Sequence, residues 1–411
     1  MLLRNLRTFD SLKSPHFRLY FINGILGQAA MHMQGLARPL LVYELTGSTA
    51  MLGISAVVGS IPLILISPIG GTLADRIKKK YVVLCGQIWS VILAVTLAIL
   101  LTLGYLEQGH AAAWWILIGA SLLDGIGAGL TGPSFQAMVR EIVGAERVMN
   151  AMSLNSLGMN VLRIVIPLLT GILIEAYNFA IIFYIMTGII SLGTVFIALI
   201  PATPPQVAVG TAKRAWIDIK EGFRYVRNQP SLFLVLALLL VVVLLSMPLG
   251  VMMPVFADDI LKVGAEGLGK LQSAAGVGAT IISVVLASMP NKRRGMMLLV
   301  ASFFVGITMT LFSFSTIWYV SLVVLFFMGI ADTVRMTLGN TLLLYYAKHE
   351  YWGRVVSVQA MIFGLSGIGA LAASLLAERV NVQWVTGGFA FALIVVSIAM
   401  TVFTPRLRKL D

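Results

Sequence analysis

Four charged side chains interrupt long apolar stretches of this sequence: Asp124, Arg163, Asp332 and Arg335. A charge inside a low-dielectric segment costs about 2.5–3.5 kcal/mol on membrane-insertion scales, so such residues are usually retained for a function. Asp332 and Arg335 are three residues apart and can pair on one helical face. Asp124 and Arg163 lie at similar depths in their runs and can pair with each other. Burial favours the neutral carboxyl, so either aspartate could load and release a proton; alternatively, both pairs are structural.

The first apolar run is also unusually polar, because QAAMHMQGLAR places Gln28, His32, Gln34 and Arg38 in one stretch. An imidazole near the middle of such a run can titrate in the physiological range. The alternative is that His32 is a hydrogen-bonded structural residue.

The sequence contains no pattern typical of catalysis. It has no phosphate-binding Walker loop and no metal-ligand spacing, and His16, His110 and His349 lie near the ends of apolar runs. Cys85 is the single cysteine, which rules out an intramolecular disulfide and a cysteine metal cluster. We therefore expect no enzyme activity, no cofactor and no bound metal.

The elements that carry these residues are membrane helices. Hydrophobic residues make up 59% of the 411 residues and charged residues 11%, against about 25% charged in soluble domains. A spanning helix needs roughly 20 apolar residues, and continuous apolar runs exclude a β-barrel. We predict an all-α integral membrane protein with twelve transmembrane helices, at 18–44, 50–74, 81–104, 113–138, 148–175, 179–201, 231–257, 267–289, 295–315, 317–345, 353–377 and 382–404.

The basic residues predict how the helices are oriented. Most of the 29 Lys and Arg residues fall in alternate loops, and such loops are typically cytoplasmic. We therefore expect a multi-pass protein with both termini in the cytoplasm. We attribute the net charge of +12 to the orientation of the helices and to attraction toward anionic lipid headgroups. We expect no nucleic-acid partner.

The longest interruption divides the chain into three parts. Residues 202–230 begin after Pro201 and include AWIDIKEGFRYVRNQP, which has the pattern of a basic amphipathic helix at the inner interface. We predict an N-terminal six-helix bundle over 1–201, an amphipathic linker over 202–230 and a C-terminal six-helix bundle over 231–411. The stretches DGIGAGLTGPSFQAMVREIVGAERVMNA and GIADTVRMTLGNTLLLYYAKHEYWGRVVS indicate a weak parallel repeat.

The sharpest local motif is GGTLADRIKKK, between the second and third runs. Its aspartate ends a helix and faces a cluster of cations, and a nearby helix start would offer it N–H groups and a positive dipole. A contact that forms in one conformation and breaks in another acts as a switch; the alternative is an ordinary positively charged loop. The candidate switch residues are Gly71, Asp75, Arg76, Lys79 and Lys80.

This motif resembles the loop motif of the major facilitator superfamily, usually Gly-x-Leu-Ala-Asp-Arg-x-Gly-Arg-Arg/Lys, although Lys78 stands where glycine is usual. Three further stretches are similar to the branch of bacterial efflux permeases that includes macrolide and siderophore exporters. They are LVYELTGSTAMLGISAVVGSIPLILISPIGG, GPSFQAMVREIVGAERVMNAMSLNS and RIVIPLLTGILIE. Two departures stand out. SMPNKRRG, the second copy of the loop, lacks the aspartate, and Ile166–Gly171 lacks two glycines of the usual antiporter motif Gly-Pro-x-x-Gly-Gly.

The resemblance implies two six-helix bundles that rock about a central cavity, and it places the first and seventh helices along that cavity. The candidate substrate contacts are then Gln28, His32, Gln34 and Met159, although methionine is also an ordinary filler of membrane cores. Near the outer surface, Arg38 could pair with Asp258 or Asp259 to lock an outer gate.

The leading hypothesis is a monomeric secondary transporter in a bacterial inner membrane that exports small amphipathic compounds in exchange for protons. The few charges in the predicted cavity favour apolar or weakly cationic substrates. A siderophore exporter, a lysophospholipid flippase and a nutrient importer of the same fold remain alternatives. A sensor or scaffold protein that has lost transport activity is a further alternative.

Overall fold

A computed structural model of the chain describes residues 11–107, 113–144, 148–202, 212–289, 293–348 and 351–410. These residues form helices and the short turns between them. The helices are α1 (Pro15–Thr46), α2 (Thr49–Arg76), α3 (Lys79–Thr102), α4 (Ala113–Val143), α5 (Val148–Ala176), α6 (Phe179–Leu199), α7 (Ala212–Asn228), α8 (Pro230–Val255), α9 (Gly264–Ala287), α10 (Arg294–Ser313), α11 (Trp318–Tyr346), α12 (Trp352–Gly364), α13 (Ser366–Ala377), α14 (Val382–Phe403) and α15 (Pro405–Arg408). A π-helical turn, Phe256–Ile260, extends α8.

The predicted all-α membrane architecture is confirmed. Eleven helical segments of the described chain are long and apolar enough to cross a membrane, counting α8 with its π turn and α12 with α13 as one segment each. At 32 residues, α1 is longer than any of them, but its polar side chains lower its hydropathy. We count α1 as the twelfth spanning helix.

Local capping explains where several helices begin and end. Ser14 accepts the backbone N–H of Phe17 at the start of α1, and Gly47 ends this helix in the left-handed conformation, which glycine adopts without strain. Asn178 caps α6 through the N–H of Ile181, and Asn381 caps α14 through the N–H of Gln383.

Glycines allow α2 and α4 to pack backbone to backbone. A Cβ atom on Gly125 would overlap the carbonyl oxygen of Gly59, and one on Gly70 would overlap that of Gly129. Small residues at such seams let membrane helices approach closely. The seam holds α4, and therefore Asp124, at a fixed distance from α2.

We call α1–α6 the N-terminal half and α8–α14 the C-terminal half. Because the spanning helices alternate in direction, both chain ends lie on one face, here called the terminal face, and the other is the opposite face. Near the opposite face, one buried cluster joins both halves and contains Leu40 and Phe183 with Phe256 and Phe312. Near the terminal face the buried clusters are separate, one in each half. The halves therefore share a buried core at the opposite face, whereas each half has its own core near the terminal face.

Between the halves lies α7, which corresponds to the predicted amphipathic linker helix. Val226 in its last turn is buried against the C-terminal half, whereas Phe223 is about half exposed. Gly222 packs closely against the backbone of Arg354, at the start of α12. The described part of α7 therefore docks on the terminal end of the C-terminal half.

Candidate functional site

Asp124 lies near mid-span in α4 and binds two side chains of α1. An Nη1 atom of Arg38 lies 2.5 Å from its Oδ2 atom, and Gln34 donates to the same oxygen at 2.6 Å. Gln34 and Arg38 are four residues apart and so face α4 together. The expected partner of Asp124 was Arg163; the structure replaces it with Arg38, because α1 packs against α4 at this depth.

A cavity of about 330 Å³ adjoins this Asp124–Arg38–Gln34 cluster. Its wall combines the three polar residues with small and apolar side chains of α2 and α4, and Val251 of α8 completes it from the other half. About a quarter of the Asp124 side chain is exposed. The carboxylate is therefore partly accessible from the cavity.

A second charged cluster lies on α11. Arg335 donates to Oδ1 of Asp332 through Nη2 at 2.5 Å and through Nε at 3.2 Å. The Arg335 side chain is fully buried, and its Nη1 atom has no hydrogen-bond partner among the described residues. Arg163 of α5 lies within electrostatic range of Asp332 and of His32 on α1. Charged or titratable groups of both halves thus lie near one another on α1, α5 and α11.

The other candidate substrate contacts lie one helical turn from residues of this second charged region. Gln28 is one turn from His32 on α1, and its Oε1 atom is buried without a hydrogen-bond partner in the described chain. Met159 is one turn from Arg163 on α5 and is 38% exposed. One face of α1 therefore carries Gln28 and His32, whereas another carries Gln34 and Arg38.

The predicted outer pair between Arg38 and the acidic end of α8 does not form in this structure. Asp259 instead accepts a hydrogen bond from the hydroxyl of Tyr43, which joins the two halves at the opposite face. Asp258 neighbours this contact in the same π turn. Arg38 lies five residues before Tyr43, about 7.5 Å deeper along the helix axis. At that depth its partner is Asp124.

Glu378, at the end of α13, caps the first turn of α2 in the other half. Its Oε2 atom accepts the backbone N–H of Ala50 at 2.9 Å, the hydroxyl of Thr49 at 2.9 Å and the hydroxyl of Ser48 at 3.1 Å. The hydrogen bond from Ala50, supported by the two hydroxyls, outweighs burial and holds the pKa of the Glu378 carboxyl below its ordinary value. The carboxylate also complements the positive end of the helix dipole.

Glu175, in the last turn of α5, makes the corresponding contact in the other direction. Its Oε2 atom accepts the backbone N–H of Glu266, in the first turn of α9, at 3.1 Å. The helices α5 and α9 also pack closely, since Ser273 donates to the carbonyl of Ile164 at 2.6 Å. Each half thus caps a helix of the other, and both caps lie at the opposite face.

Sequence reasoning missed these caps, although a signal was present. Both glutamates sit at the C-terminal end of a helix, where the dipole disfavours an acid. Each is followed three residues later by an asparagine that caps the next helix, in Glu175-x-x-Asn178 and Glu378-x-x-Asn381. The repeat indicates that the two positions are equivalent in the two halves.

The candidate switch loop is described in part. The backbone of Gly71, Asp75 and Arg76 belongs to α2, but their side-chain surroundings lie outside the described residues. Lys79 forms a largely buried ion pair with Glu141 of α4, and Lys80 donates to the carbonyl of Ala198 at 2.7 Å. Both contacts tie the start of α3 to its own half.

We found no group of three or more His, Cys, Asp and Glu residues placed to hold a metal ion within the described ranges. The chemistry available at the two charged clusters is proton binding, ion pairing and hydrogen bonding.

Comparison with known proteins places this geometry in a family. Residues 7–411 match the transmembrane secretion effector family. The sequence is 25% identical over 412 residues to the enterobactin exporter EntS of Salmonella typhi, covering 96% of this chain and 94% of that protein. It is also 25% identical over 353 residues to EntS of Escherichia coli O1:K1 / APEC, covering 83% of this chain and 80% of that protein.

Solved structures show the same fold at lower sequence identity. A POT family transporter in complex with 5-aminolevulinic acid superposes with a TM-score of 0.77 at 14% identity, covering 95% of this chain and 96% of that one. The nucleoside transporter NupG superposes with a TM-score of 0.70 at 14% identity, covering 93% and 99%. The chain belongs to the transmembrane secretion effector family and is a membrane transporter of the major facilitator superfamily.

Proposed function

We propose that this transporter exports a small amphipathic compound from the bacterial cytoplasm by alternating access, and that protons entering the cell through Asp124 drive the export. In this proposal the protein works as a monomer surrounded by inner-membrane lipid. The terminal face is cytoplasmic, so the structure corresponds to the state closed to the periplasm. The bundles are residues 1–201 and 231–411, joined by the linker over 202–230.

The position of Asp124 carries the proposal. It lies at mid-span and lines a cavity, and one oxygen holds both Arg38 and Gln34. Protonation would remove the negative charge that holds Arg38, so the ion pair would weaken and α1 would be free to move against α4. Asp332 is the less suitable proton carrier, since Arg335 binds it from the same helix.

The contacts at the opposite face support alternating access. Glu175, Glu378 and the Tyr43–Asp259 hydrogen bond each join one half to the other. All three are polar contacts that water can replace, so they can break when the periplasmic side opens. We assign the outer gate to these residues, and Arg38 to the proton-coupling cluster.

Siderophore export is the more specific candidate, because the relatives at 25% identity are named enterobactin exporters and align over 94% of their length in one case. Substrates of relatives at this identity can differ, so enterobactin is a probe to be tested beside other amphipathic compounds.

Reconstituted liposomes with an imposed pH gradient test the function. We expect enterobactin or another amphipathic solute to induce proton flux with the wild-type chain and with the matched control Glu107→Gln, which lies in an exposed loop. The Asp124→Asn variant should abolish this flux. Equal flux in Asp124→Asn would remove this carboxylate from coupling. Lysophospholipid movement without solute transport would favour a flippase, and solute movement in the same direction as protons would favour an importer.

A further inference from the structure

The charges in the middle of the spans do not balance. Three guanidinium groups, on Arg38, Arg163 and Arg335, lie among two carboxylates, on Asp124 and Asp332. Arg38 pairs with Asp124, and Arg335 pairs with Asp332, each at 2.5 Å. Arg163 therefore has no carboxylate of its own at this depth in the described chain. Asp332 offers one negative charge to two arginines, which leaves one positive charge in excess.

The backbone around Arg163 is fixed where the two halves meet. The neighbouring carbonyl, of Ile164, accepts the hydroxyl of Ser273 at 2.6 Å. A Cβ atom on Gly276 would lie 2.8 Å from the carbonyl oxygen of Arg163, so α5 and α9 are in backbone contact here. Such contact leaves little freedom for the Cα atom of Arg163.

The side chain of Arg163 interacts with groups of both halves. It is partly exposed and within electrostatic range of His32 in the N-terminal half and of Asp332 in the C-terminal half. A guanidinium in a low-dielectric site attracts an anion strongly and repels a cation. Its planar fork of donors also matches a carboxylate or a phosphate, which can accept two hydrogen bonds at once.

The residues beside Arg163 suit the organic part of a ligand. Met159 is exposed one turn toward the terminal face and offers a flexible apolar surface. On α1 of the same half, Gln28 has a buried oxygen without a hydrogen-bond donor in the described chain. The site thus combines one cationic group with apolar and neutral polar surface.

We propose, on the basis of the export function above, that Arg163 binds the acidic group of the transported compound, which makes the substrate class organic anions with an apolar body. This differs from the expectation of apolar or weakly cationic substrates. Binding of the anion supplies the charge that the two aspartates do not provide.

Three naphthalene probes of nearly equal size test the proposal: 1-naphthoate, 1-naphthylmethanol and 1-naphthylmethylammonium. Binding is measured by calorimetry with the full chain in lipid nanodiscs. We expect 1-naphthoate to bind about 10- to 100-fold more tightly than the neutral alcohol, as for a charge-assisted hydrogen bond, and the cation to bind most weakly. Arg163→Gln should abolish the preference, Arg163→Lys should keep part of it, and the exposed control Arg379→Gln should keep all of it.

A second variant distinguishes a specific change at the binding site from misfolding of the protein. Asp332→Asn removes the carboxylate that Arg163 and Arg335 share, so we expect it to bind 1-naphthoate several-fold more tightly. A misfolded protein would not gain affinity. Equal binding of the three probes, or an unchanged preference in Arg163→Gln, would overturn the proposal. So would competition by chloride without any preference among the naphthalenes, because it would assign Arg163 to an inorganic anion.

The lipid composition distinguishes a soluble anion from a lipid phosphate. A site for a soluble substrate binds 1-naphthoate in discs of phosphatidylcholine alone and in discs that also contain phosphatidylglycerol. Loss of binding in the second case would place a lipid headgroup on Arg163 and overturn the soluble-substrate assignment.

If the anion preference holds but enterobactin and other solutes fail to drive proton flux, the transport function fails and the anion site stands. If flux occurs without any anion preference, the anion site fails and the transport function stands.

Discussion

Glu175 and Glu378 cap helices of opposite halves in the same way. Glu175 lies in the last turn of α5 and Glu378 directly follows α13, and each accepts a backbone N–H from the first turn of a helix across the interface, at 3.1 Å from Glu266 and at 2.9 Å from Ala50. Because a carboxylate both accepts these hydrogen bonds and complements the helix dipole, the two contacts stabilise closure at the opposite face.

Neutralising both caps should open that face. Each charge at a helix N-terminus contributes about 0.3–1 kcal/mol, so the double variant Glu175→Gln/Glu378→Gln should shift the ratio of closed to open molecules by about 3- to 30-fold. Spin labels at Leu103 and Ile317, on exposed positions of the two halves in a Cys85→Ala background, report the separation. An unchanged distance distribution relative to Glu107→Gln would show that the caps do not hold the face closed.

The closure by Glu378 should persist at neutral and mildly acidic pH. Its pKa is lowered from the ordinary value of 4.5 by the Ala50 N–H and the neighbouring hydroxyls. A group with a lowered pKa contributes its stabilisation fully above the ordinary value and loses it as the pH falls through the lowered pKa. We therefore expect the effect of Glu378→Gln on the label distance to be constant between about pH 5.5 and 8 and to be lost only as the pH falls below 4.5 through the lowered pKa. An effect that disappears near pH 6.5 would contradict this assignment.

Asp124 and Arg38 should be coupled in stability as well as in transport. Removing one partner leaves the other charged in an apolar span, so Asp124→Asn and Arg38→Gln should each lower the thermal unfolding temperature in detergent. The double variant should recover part of the loss, with an interaction energy of about 1–3 kcal/mol, but should not recover proton coupling. Strictly additive effects on stability would show that the pair observed at 2.5 Å contributes little.

The glycine contacts between α5 and α9 make a further prediction. A Cβ atom on Gly269 would overlap the carbonyl oxygen of Pro167, so Gly269→Ala must push the two helices apart. Overpacking of this kind typically costs about 1–3 kcal/mol. We expect a lower unfolding temperature and a larger label separation at the opposite face. Gly188→Ala on α6 is the matched control, since nothing lies within 4 Å of its added Cβ atom; equal effects of the two variants would exclude a specific contact.

The sequence alone could predict the spanning helices because the membrane allows few backbone solutions. Lipid forces every spanning segment to satisfy its own hydrogen bonds, so a long apolar run indicates a helix and its approximate ends. The predicted run 382–404 corresponds to Val382–Phe403, for example. The break at Leu365 was not visible in the same way. Gly364 and Gly367, on either side of it, pack tightly against Ile64 and Ser60 of α2, which only the packed halves reveal.

The charged residues of the site could also be identified from the sequence, but not their partners. Depth along a helix follows from residue number, whereas the direction in which a side chain points depends on how helices pack. By depth, the sequence favours Arg163 as the partner of Asp124 and places Arg38 near the outer surface, whereas in the structure α1 brings Arg38 to Asp124. The caps formed by Glu175 and Glu378 are not predicted from the sequence, because their partners lie across the interface.

Cross-linking across the opposite face tests alternating access most directly. Cysteines at Ser48 and Glu378, in a Cys85→Ala background, can be joined by a short reducible bifunctional thiol reagent, while Glu175 keeps its cap. The account predicts that the cross-linked protein binds 1-naphthoate but does not transport it, and that reduction restores transport. Undiminished transport by fully cross-linked protein would contradict it.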